Sequence, residues 1–288
     1  MFNLVTLADP RNPDSLTERN IQGVAEAARN SGYKVFSLGI DADLERFPES
    51  MDGPTIFNGY IPEDFTLIHT AIESKGGSMI NSAEMSERLM SFLEWYPRIE
   101  DLTAKSVVVN GLDDEKGIQA ALELRMPLFV KGEIKSNKEA GLESCLASSR
   151  EDIIEHLRYA EDRPRTWRGK IITREFLDLR SQERATGFPV HREYRVFLIG
   201  SEVVGKGFYW RDSDSFGLLD ANENQDINDL AREAQKRLDT NLTIVDVGQL
   251  KNGEWRIIEV GDPQFCTFTH MSALSFFQRL QDLAKDIV

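Results

Sequence analysis

Two acidic residues on a predicted β-hairpin are the side chains whose spacing points most directly to chemistry. The hairpin covers residues 245–262, and Asn252-Gly253 at its centre predicts a two-residue type I′ turn. That turn sets the register of the two strands, so we expect Asp246 to lie directly across from Glu259. Two carboxylates would then share one face of the sheet.

Two carboxylates about 5 Å apart repel each other, and a fold avoids this pairing unless a cation lies between them. Mg²⁺ is the best candidate because it prefers hard oxygen ligands. Asp262, just beyond the second strand, is a third candidate ligand. The alternative is an exposed pair on an ordinary hairpin, whose repulsion is screened by salt. The hairpin alone does not separate these two interpretations.

A lysine at the end of an apolar strand is a candidate phosphate ligand. Lys131 follows Leu128-Phe129-Val130 and leads into a loop, residues 132–141, that contains Lys135 and Lys138 among small residues. Backbone N–H groups and ammonium groups of such a loop can share the charge of a polyphosphate. The loop matches neither the Walker A nor the Rossmann pattern. The alternative interpretation is a solvated, lysine-rich loop. The sequence of the loop by itself favours this alternative.

A strand predicted over residues 170–177 has a composition suited to binding adenine. It ends in Arg174-Glu175-Phe176-Leu177 and is followed by Asp178. Backbone groups could bind the base while Glu175 or Asp178 contacts an amino group or a ribose hydroxyl. This composition alone does not establish a nucleotide site.

Cationic residues on the next two predicted strands are candidates for contact with an anion. Alternation along residues 193–199 places Glu193 and Arg195 on one face with apolar neighbours. An arginine in that position is either ion-paired within the protein or bound to an anion. Lys206 and Arg211, on the following strand, could reach a substrate carboxylate or a transferred phosphoryl group.

The elements that must position these residues are predicted to form two domains. The chain opens with a β-α-β pattern, which favours a parallel sheet, and Pro97 with the polar residues after it marks a boundary. The pattern of strands and helices then restarts at Val107. Ser149 with Asp152 predicts a capping box at the start of a later helix.

The composition disfavours several classes of partner. The 288 residues carry a formal net charge of -14, which opposes contact with nucleic acid phosphates or anionic lipid. Cys145 and Cys266 lack the spacing of a metal site and are too few for a disulfide framework, so a cytoplasmic location is expected. No apolar run approaches the roughly 20 residues of a membrane span. We therefore expect small-molecule partners rather than nucleic acid or a membrane.

The motifs occur in an order that resembles the ATP-grasp superfamily: a strand lysine, an E-F-hydrophobic segment, an E-x-R strand and two late acidic motifs. In this chain they are Pro127-Leu128-Phe129-Val130-Lys131, Arg174-Glu175-Phe176-Leu177, Glu193-Tyr194-Arg195-Val196-Phe197, Val245-Asp246-Val247-Gly248 and Ile258-Glu259-Val260-Gly261-Asp262. The resemblance implies an α/β (α+β) fold that holds a nucleotide between two α+β subdomains. It covers residues 98–288, with a lid subdomain at about 106–177 and a metal-binding subdomain at about 178–288. Residues 1–97 resemble the small parallel-sheet α/β domain that precedes the grasp.

The resemblance also implies a role for each motif. In the family the strand lysine holds the phosphates of ATP, the E-F-hydrophobic segment is the adenine hinge, the E-x-R strand faces the nucleotide and the paired late acids bind magnesium. The residues assigned to the nucleotide are Lys105, Lys131, Lys135, Arg174, Glu175, Phe176, Leu177, Asp178 and Glu193. Those assigned to the metal are Asp246, Glu259 and Asp262. Lys105 enters as a second phosphate lysine because its segment resembles the linker into the first grasp strand.

The chain departs from the family pattern at two points. Members usually end with E-x-N, whereas position 261 is glycine here, so a further metal oxygen must come from Asp262 or be missing. The phosphate loop is also poorer in glycine than usual. An E-x-G-D-x-Q ending is similar to that of a compact, little-characterised bacterial and phage clade.

These roles imply an ATP- and Mg²⁺-dependent ligase. Such an enzyme phosphorylates a small-molecule or peptide carboxylate and lets an amine or a thiol displace the phosphate, which gives an amide or a thioester. The candidate catalytic residues are Arg195, Lys206 and Arg211. Two alternatives stay open: a phosphotransferase that acts on a hydroxyl, and a sensor that binds ATP without turning it over. The sequence also leaves open whether the chain forms a homodimer.

Overall fold

The computed structural model describes residues 2–9, 15–39, 50–59, 65–164, 166–183, 189–210, 215–266 and 268–284. Within these stretches the chain forms eight α-helices and fourteen strands, which make three four-stranded sheets and one two-stranded sheet. A parallel sheet at the N-terminus is followed by antiparallel sheets, and this mixed content confirms the predicted fold class. No helix in the described stretches is both long and apolar enough to cross a bilayer.

A parallel sheet forms the N-terminal part of the chain, as the opening β-α-β pattern predicts. Its strands, in the spatial order β2-β1-β3-β4, are β1 (Asn3–Ala8), β2 (Lys34–Gly39), β3 (Gly53–Asn58) and β4 (Gly77–Met79). Its helices are α1 (Leu16–Asn30), between β1 and β2, and α2 (Phe65–Glu73), before β4. The Ser15 hydroxyl caps α1 by accepting a 3.1 Å hydrogen bond from the Glu18 amide.

Two short helices connect this sheet to the rest of the protein. α3 (Ala83–Met90) begins after its N-cap Ser82, and α4 (Phe92–Ile99) follows it directly. Pro97, which the sequence analysis placed at a domain boundary, lies inside α4. The apolar face of α4 is buried in the same core as the C-terminal strands. The predicted boundary stays a prediction, but the chain around Pro97 is helical and packed.

An antiparallel sheet covered by two helices lies in the segment predicted to be a lid, and we call this sheet with its helices the lid. Its strands, in the order β5-β8-β6-β7, are β5 (Ser106–Val109), β6 (Leu128–Lys131), β7 (Leu146–Ala147) and β8 (Ile171–Glu175). Its helices are α5 (Glu115–Leu122) and α6 (Arg150–Glu161). The predicted capping box of Ser149 and Asp152 begins α6. Alternation along β6 places two apolar residues in the core beneath the helices and leaves Phe129 and Lys131 on the opposite face.

A second antiparallel sheet, here called the C-terminal sheet, carries the predicted hairpin. A two-stranded sheet of β9 (Ser181–Gln182) and β10 (Val190–His191) precedes it. Its own strands, in the order β12-β11-β13-β14, are β11 (Glu193–Ile199), β12 (Glu202–Phe208), β13 (Leu242–Gln249) and β14 (Trp255–Gly261). The last two helices are α7 (Ala221–Leu238) and α8 (Ala273–Leu283). α7 packs in one hydrophobic core of this sheet and α8 in the other, so every residue of β11 is buried.

The N-terminal sheet and the C-terminal sheet share a hydrophobic core. Leu4 of β1 belongs to the same buried cluster as Phe197 of β11 and Phe277 of α8. The Tyr33 hydroxyl donates a 3.0 Å hydrogen bond to the carbonyl oxygen of Phe277. Burial of apolar surface therefore holds the N-terminal part of the chain against the C-terminal sheet.

The hairpin of β13 and β14 has a different turn from the one predicted. The Gly253 amide donates to the Leu250 carbonyl at 2.9 Å, and the Leu250 amide closes a three-residue loop with a 2.8 Å bond across the strands. Gly253 has a φ of +95°, as in a type I turn followed by a left-handed glycine. A bulge leaves Ile258 unpaired in β14 and restores the predicted pairing of Asp246 with Glu259. The turn prediction was wrong, and the extra residue in the bulge cancels the extra residue in the loop.

Candidate active-site cleft

A cleft lies between the lid sheet and the C-terminal sheet. Strands β6 and β8 contribute to one wall, and β11 and β14 contribute to the other. The predicted nucleotide and metal ligands that line it are Lys131, Arg174, Glu175, Phe176, Leu177, Glu193 and Glu259. Register explains part of this grouping, because Phe129 and Arg174 are opposed across β6 and β8 and so share the face that points to the cleft.

Arg174 lines the cleft but is held by the protein around it. Its guanidinium donates to the Ile258 carbonyl at 2.8 Å and to the Thr103 hydroxyl at 2.6 Å. Burial lowers the pKa of Arg174 to about 10, although Glu259 opposes this shift. The residue therefore ties the lid to the hairpin as well as adding positive charge to the cleft.

Lys131 and Glu259 form an ion pair across the cleft. Lys131 is only 2% exposed, and burial lowers its pKa while Glu259 opposes that shift. Burial by itself raises the pKa of Glu259, but Lys131, Lys138 and Arg174 lower it to about 2. Glu259 is thus ionised at neutral pH and faces cations supplied by the lid.

The other carboxylate of the hairpin, Asp246, is paired with Arg195 on the neighbouring strand. Two side-chain hydrogen bonds of 2.8 and 2.7 Å join the guanidinium to the carboxylate, and β11 and β13 place the two residues directly opposite each other. Burial alone lowers the pKa of Arg195, but Asp246 raises it well above its ordinary value. Side-chain cations therefore lie beside both carboxylates of the predicted pair.

Lys138 is a central residue of the cleft, although it is not among the residues assigned to the nucleotide from the sequence. Its ammonium group lies 5.7 Å from the ring centre of Tyr209 and 6.0 Å from that of Phe129. Burial alone lowers the pKa of Lys138, but Tyr209 and three carboxylates outweigh it and raise the pKa. The three carboxylates are Glu193, Asp246 and Glu259. We call these three residues the acidic cluster.

The sequence contains no signal that separates Lys138 from Lys135. A short 3₁₀ turn, Lys138–Ala140, begins at the lysine that lines the cleft, whereas the Lys135 side chain is exposed. Both lysines lie in the same polar loop, and no apolar periodicity marks either of them. The path of this loop over the cleft decides which ammonium group meets the carboxylates.

Glu193 contributes a carboxylate to the cleft from β11. It is 2% exposed, and its Oε1 atom has no hydrogen-bond partner within the described residues. Burial raises the pKa of Glu193 to about 7, and the neighbouring carboxylates add to the rise although Lys138 opposes it. A buried acceptor without a partner is costly unless a ligand or a cation satisfies it. Glu193 is therefore placed to accept a donor or a cation that arrives with a ligand.

A second pocket adjoins the cleft and shares Ser136, Lys138 and Glu259 with it. The other residues that line it are Met90, Ile134, Lys135, Arg195, Tyr209, Ile244, Asp246, Val260, Gly261, Phe265 and Cys266. A Cβ atom at Gly261, where the family usually has asparagine, would lie 3.3 Å from the Cys266 sulfur. The two pockets therefore meet at Lys138 and Glu259.

Lys206 is directed away from the cleft, contrary to the expectation that it reaches a substrate. It pairs with Val196 across β11 and β12, so alternation puts it on the opposite face from Arg195. Its ammonium group donates a 2.7 Å hydrogen bond to the Asn228 side chain on α7, and burial lowers its pKa to about 8. Arg211, the other predicted catalytic residue on this segment, lies outside the described residues.

Two residues assigned to the nucleotide also lie away from the cleft. The Lys105 side chain is exposed and does not line the cleft; its carbonyl accepts a 2.9 Å hydrogen bond from the Glu175 amide. Asp178 is exposed and forms a 2.8 Å ion pair with Lys251 at the hairpin tip. A tight turn after the hinge directs Asp178 outward, which the composition of the strand did not reveal.

Asp262 is fully buried and bonded to other parts of the protein. Its carboxylate accepts a 2.7 Å hydrogen bond from the Ser86 hydroxyl of α3 and two bonds, of 3.0 and 3.1 Å, from Gln264. The Ser86 oxygen also lies 3.4 Å from Nε2 of His69. In the part of the chain that the structure describes, no three acidic, imidazole or thiol groups are grouped closely enough to hold a metal ion. In this arrangement Asp262 does not add a third ligand to the hairpin pair.

Solved structures share this fold at low sequence identity. The RimK domain protein ATP-grasp of Sphaerobacter thermophilus is 16% identical, with a TM-score of 0.62 over 97% of this chain and 98% of its own. A D-alanine–D-alanine ligase of Bacillus anthracis, crystallised with ATP, is 14% identical, with a TM-score of 0.67 over 98% and 95%. D-cycloserine synthetase DcsG is 16% identical, with a TM-score of 0.60 over 99% and 100%.

A family model gives a more specific assignment than these structures. No curated protein was found to match the chain. The model for the ATP-grasp domain, R₂K clade family 3, matches residues 115–280, which include β6, β8, the hairpin and most of both pockets. Since this segment is more than half of the chain, the protein belongs to this clade of the ATP-grasp family.

Proposed function

We propose that the protein is an ATP- and Mg²⁺-dependent ligase that joins a carboxylate to an amine or a thiol through an acyl phosphate. The observation that carries this proposal is that the cleft and the second pocket share Lys138 and Glu259. A nucleotide in the cleft would bring its terminal phosphate to a carboxylate in the second pocket. Holding both reactants in this way turns a meeting of two molecules into a nearly unimolecular step.

The two ends of the cleft suit the two ends of a nucleotide. Near the hinge, Ala104, Phe129 and Ile258 offer apolar surface to a flat base, while residues 175–177 offer backbone groups. At the other end Lys131 lines the wall together with Lys138, and ammonium groups suit phosphate oxygens. The adenine hinge and the phosphate lysine are thus proposed at opposite ends of one cavity.

Two carboxylates of the acidic cluster, Glu193 and Glu259, would hold Mg²⁺. The Oε1 atom of Glu193 is a buried acceptor without a partner among the described residues, and Glu259 is held ionised by neighbouring cations. Because Mg²⁺ is usually held by one or two carboxylates together with substrate phosphates, the site does not require Asp262. When bound, Mg²⁺ would neutralise the charge that develops on the transferred phosphoryl group.

The chain's own cations would orient the reacting groups. Arg195 is fixed by its two hydrogen bonds to Asp246 and lines the second pocket, so it is already in position for an anion there. A charge fixed in advance stabilises a developing negative charge without rearrangement during the reaction. Lys131, buried in the facing wall, would hold a phosphate from the nucleotide side.

The solved structures with this fold include ligases, and they leave the substrates of this chain open. One is a D-alanine–D-alanine ligase and another is a D-cycloserine synthetase. Their identities of 14% and 16% transfer the fold alone. We therefore propose a small-molecule or peptide carboxylate as the substrate class, with an amine or a thiol as the acceptor.

The test is a screen of the purified full chain with ATP, Mg²⁺ and paired libraries of carboxylates with amines or thiols. Ligation predicts ADP and free phosphate only when both members of a pair are present, and predicts their loss in Glu259→Gln. ADP with a phosphorylated acceptor and no free phosphate would indicate a phosphotransferase instead. ATP binding without turnover across the library would indicate a sensor. Either of these two outcomes would overturn the ligase proposal.

A further inference from the structure

We propose that Lys138 is the internal cation of the acidic cluster and that Mg²⁺ must displace it in order to bind. The inference rests on the proposed function for the identity of the exchanging ion. It assigns to Lys138 a role in the phosphate and metal machinery that its position in a polar loop did not indicate. The lysine would hold the carboxylates together before the metal arrives.

Two of the three carboxylates in the cluster have a cation bonded to them directly. Arg195 is bonded to Asp246, and Lys131 is paired with Glu259. The third carboxylate, Glu193, is buried, and its Oε1 has no hydrogen-bond partner within the described residues. Lys138 lines both pockets, so its charge faces all three carboxylates. Since a buried charge is costly without a counter-charge, the lysine stabilises the cluster as a whole.

The surroundings of Lys138 suit a cation that can leave. The ammonium group is held by the faces of two aromatic rings and by the carboxylates, and no direct side-chain ion pair with it is formed among the described residues. Contacts with ring faces hold a cation less strongly than a buried, bonded ion pair does. Lys131 and Arg195, by contrast, are each bonded directly to a carboxylate. Of the three cations, Lys138 is therefore the one that can be exchanged at the lowest cost.

Adding Mg²⁺ to the cluster while Lys138 stays in place would give the site an excess of positive charge. The lysine and the metal would repel each other at short range in a partly buried site. ATP removes this conflict, because its phosphates offer the displaced ammonium group a new partner in the cleft that Lys138 already lines. Mg²⁺ without nucleotide should therefore bind weakly to the wild-type protein.

The experiment is a calorimetric titration of the full chain with MgCl₂ in the absence of nucleotide. Lys138→Met should bind Mg²⁺ about tenfold more tightly than the wild type, as expected for removal of a competing cation. The matched control is Lys116→Met, which removes the same charge from an exposed position on α5, outside both pockets, and should bind Mg²⁺ as the wild type does. Unchanged or weaker binding by Lys138→Met would overturn the proposal. Equal tightening in both variants would also overturn it, because net charge alone would then explain the effect.

A stability measurement covers the case in which Lys138→Met folds poorly. At constant ionic strength, Mg²⁺ should raise the thermal midpoint of Lys138→Met more than that of the wild type, whereas Lys138→Arg, which keeps the charge, should respond as the wild type does. The same response in all three proteins would contradict the exchange. Neither measurement needs ATP or turnover, so a failure here leaves the ligase proposal standing, and an inactive enzyme in the library screen leaves the exchange testable.

Discussion

The guanidinium of Arg195 and the carboxylate of Asp246 face each other across β11 and β13 and share hydrogen bonds of 2.8 and 2.7 Å. The two residues are 8% and 2% exposed. Each one therefore depends on the other, because a buried charge that loses its partner is strongly destabilising. The same pair lines the second pocket, so one contact serves both the stability of the sheet and the proposed chemistry.

Asp246→Asn should lower the free energy of unfolding by about 3 kcal/mol, because Arg195 would keep its charge in a buried position. Urea denaturation of the wild type and the variant measures this loss. The double variant Asp246→Asn with Arg195→Gln should lose less than the sum of the two single losses. Strictly additive losses would show that the pair is not coupled in the way the hydrogen bonds indicate.

Glu259→Gln should lower the rate of ATP turnover by about 100-fold, because it would remove a proposed metal ligand and its negative charge from the proposed transfer site. Glu254→Gln is the matched control, since Glu254 lies on the same hairpin but is exposed. ADP release with saturating Mg²⁺ and substrate measures both rates. Comparable rates for the two variants would contradict the assignment of Glu259.

Lys131→Met should weaken ATP binding about tenfold or more, a loss of roughly 1.4 kcal/mol, because it removes a buried ammonium group from the phosphate end of the cleft. Lys206→Met should leave ATP affinity close to that of the wild type, since Lys206 is bonded to α7 on the other face of the sheet. Isothermal titration with ATP compares the two variants. A larger loss for Lys206→Met would argue for the role that the sequence suggested.

Acidification should destabilise the protein through two buried histidines. Burial lowers the pKa of His69 to about 4, and burial together with Lys138 lowers that of His191 to about 4, from an ordinary value of 6.5. Between these values the unfolded chain binds more protons than the folded one. The contribution of the neutral histidines to the free energy of unfolding is therefore fully present above pH 6.5 and is lost as the pH falls toward 4.

Each histidine should lower the free energy of unfolding by at most about 3 kcal/mol. Urea denaturation across this pH range measures the slope, and His69→Gln should reduce it by about half. His270→Gln is the control, because that histidine is exposed. A slope that His69→Gln leaves unchanged would show that other groups cause the acid sensitivity.

Features that depend on neighbours along the chain could be predicted from the sequence. The capping box of Ser149 with Asp152 and the parallel β-α-β opening were both confirmed. The pairing of Asp246 with Glu259 was also confirmed, although the turn that links their strands was wrong. The two strands of a hairpin are close together in the sequence, so their register depends only on the loop and on any bulge. Here the extra residue in the bulge cancels the extra residue in the loop.

The sequence by itself determined which strands carry the acidic and basic side chains, because residue type and period-two alternation are local properties. Only the tertiary structure decided that Lys138 faces the acidic cluster, that Lys206 points to α7 and that Asp262 is bonded to Ser86. Each of these outcomes depends on the register between distant strands or on the path of a loop across a cleft. Such contacts join residues far apart in the chain, and no short pattern records them.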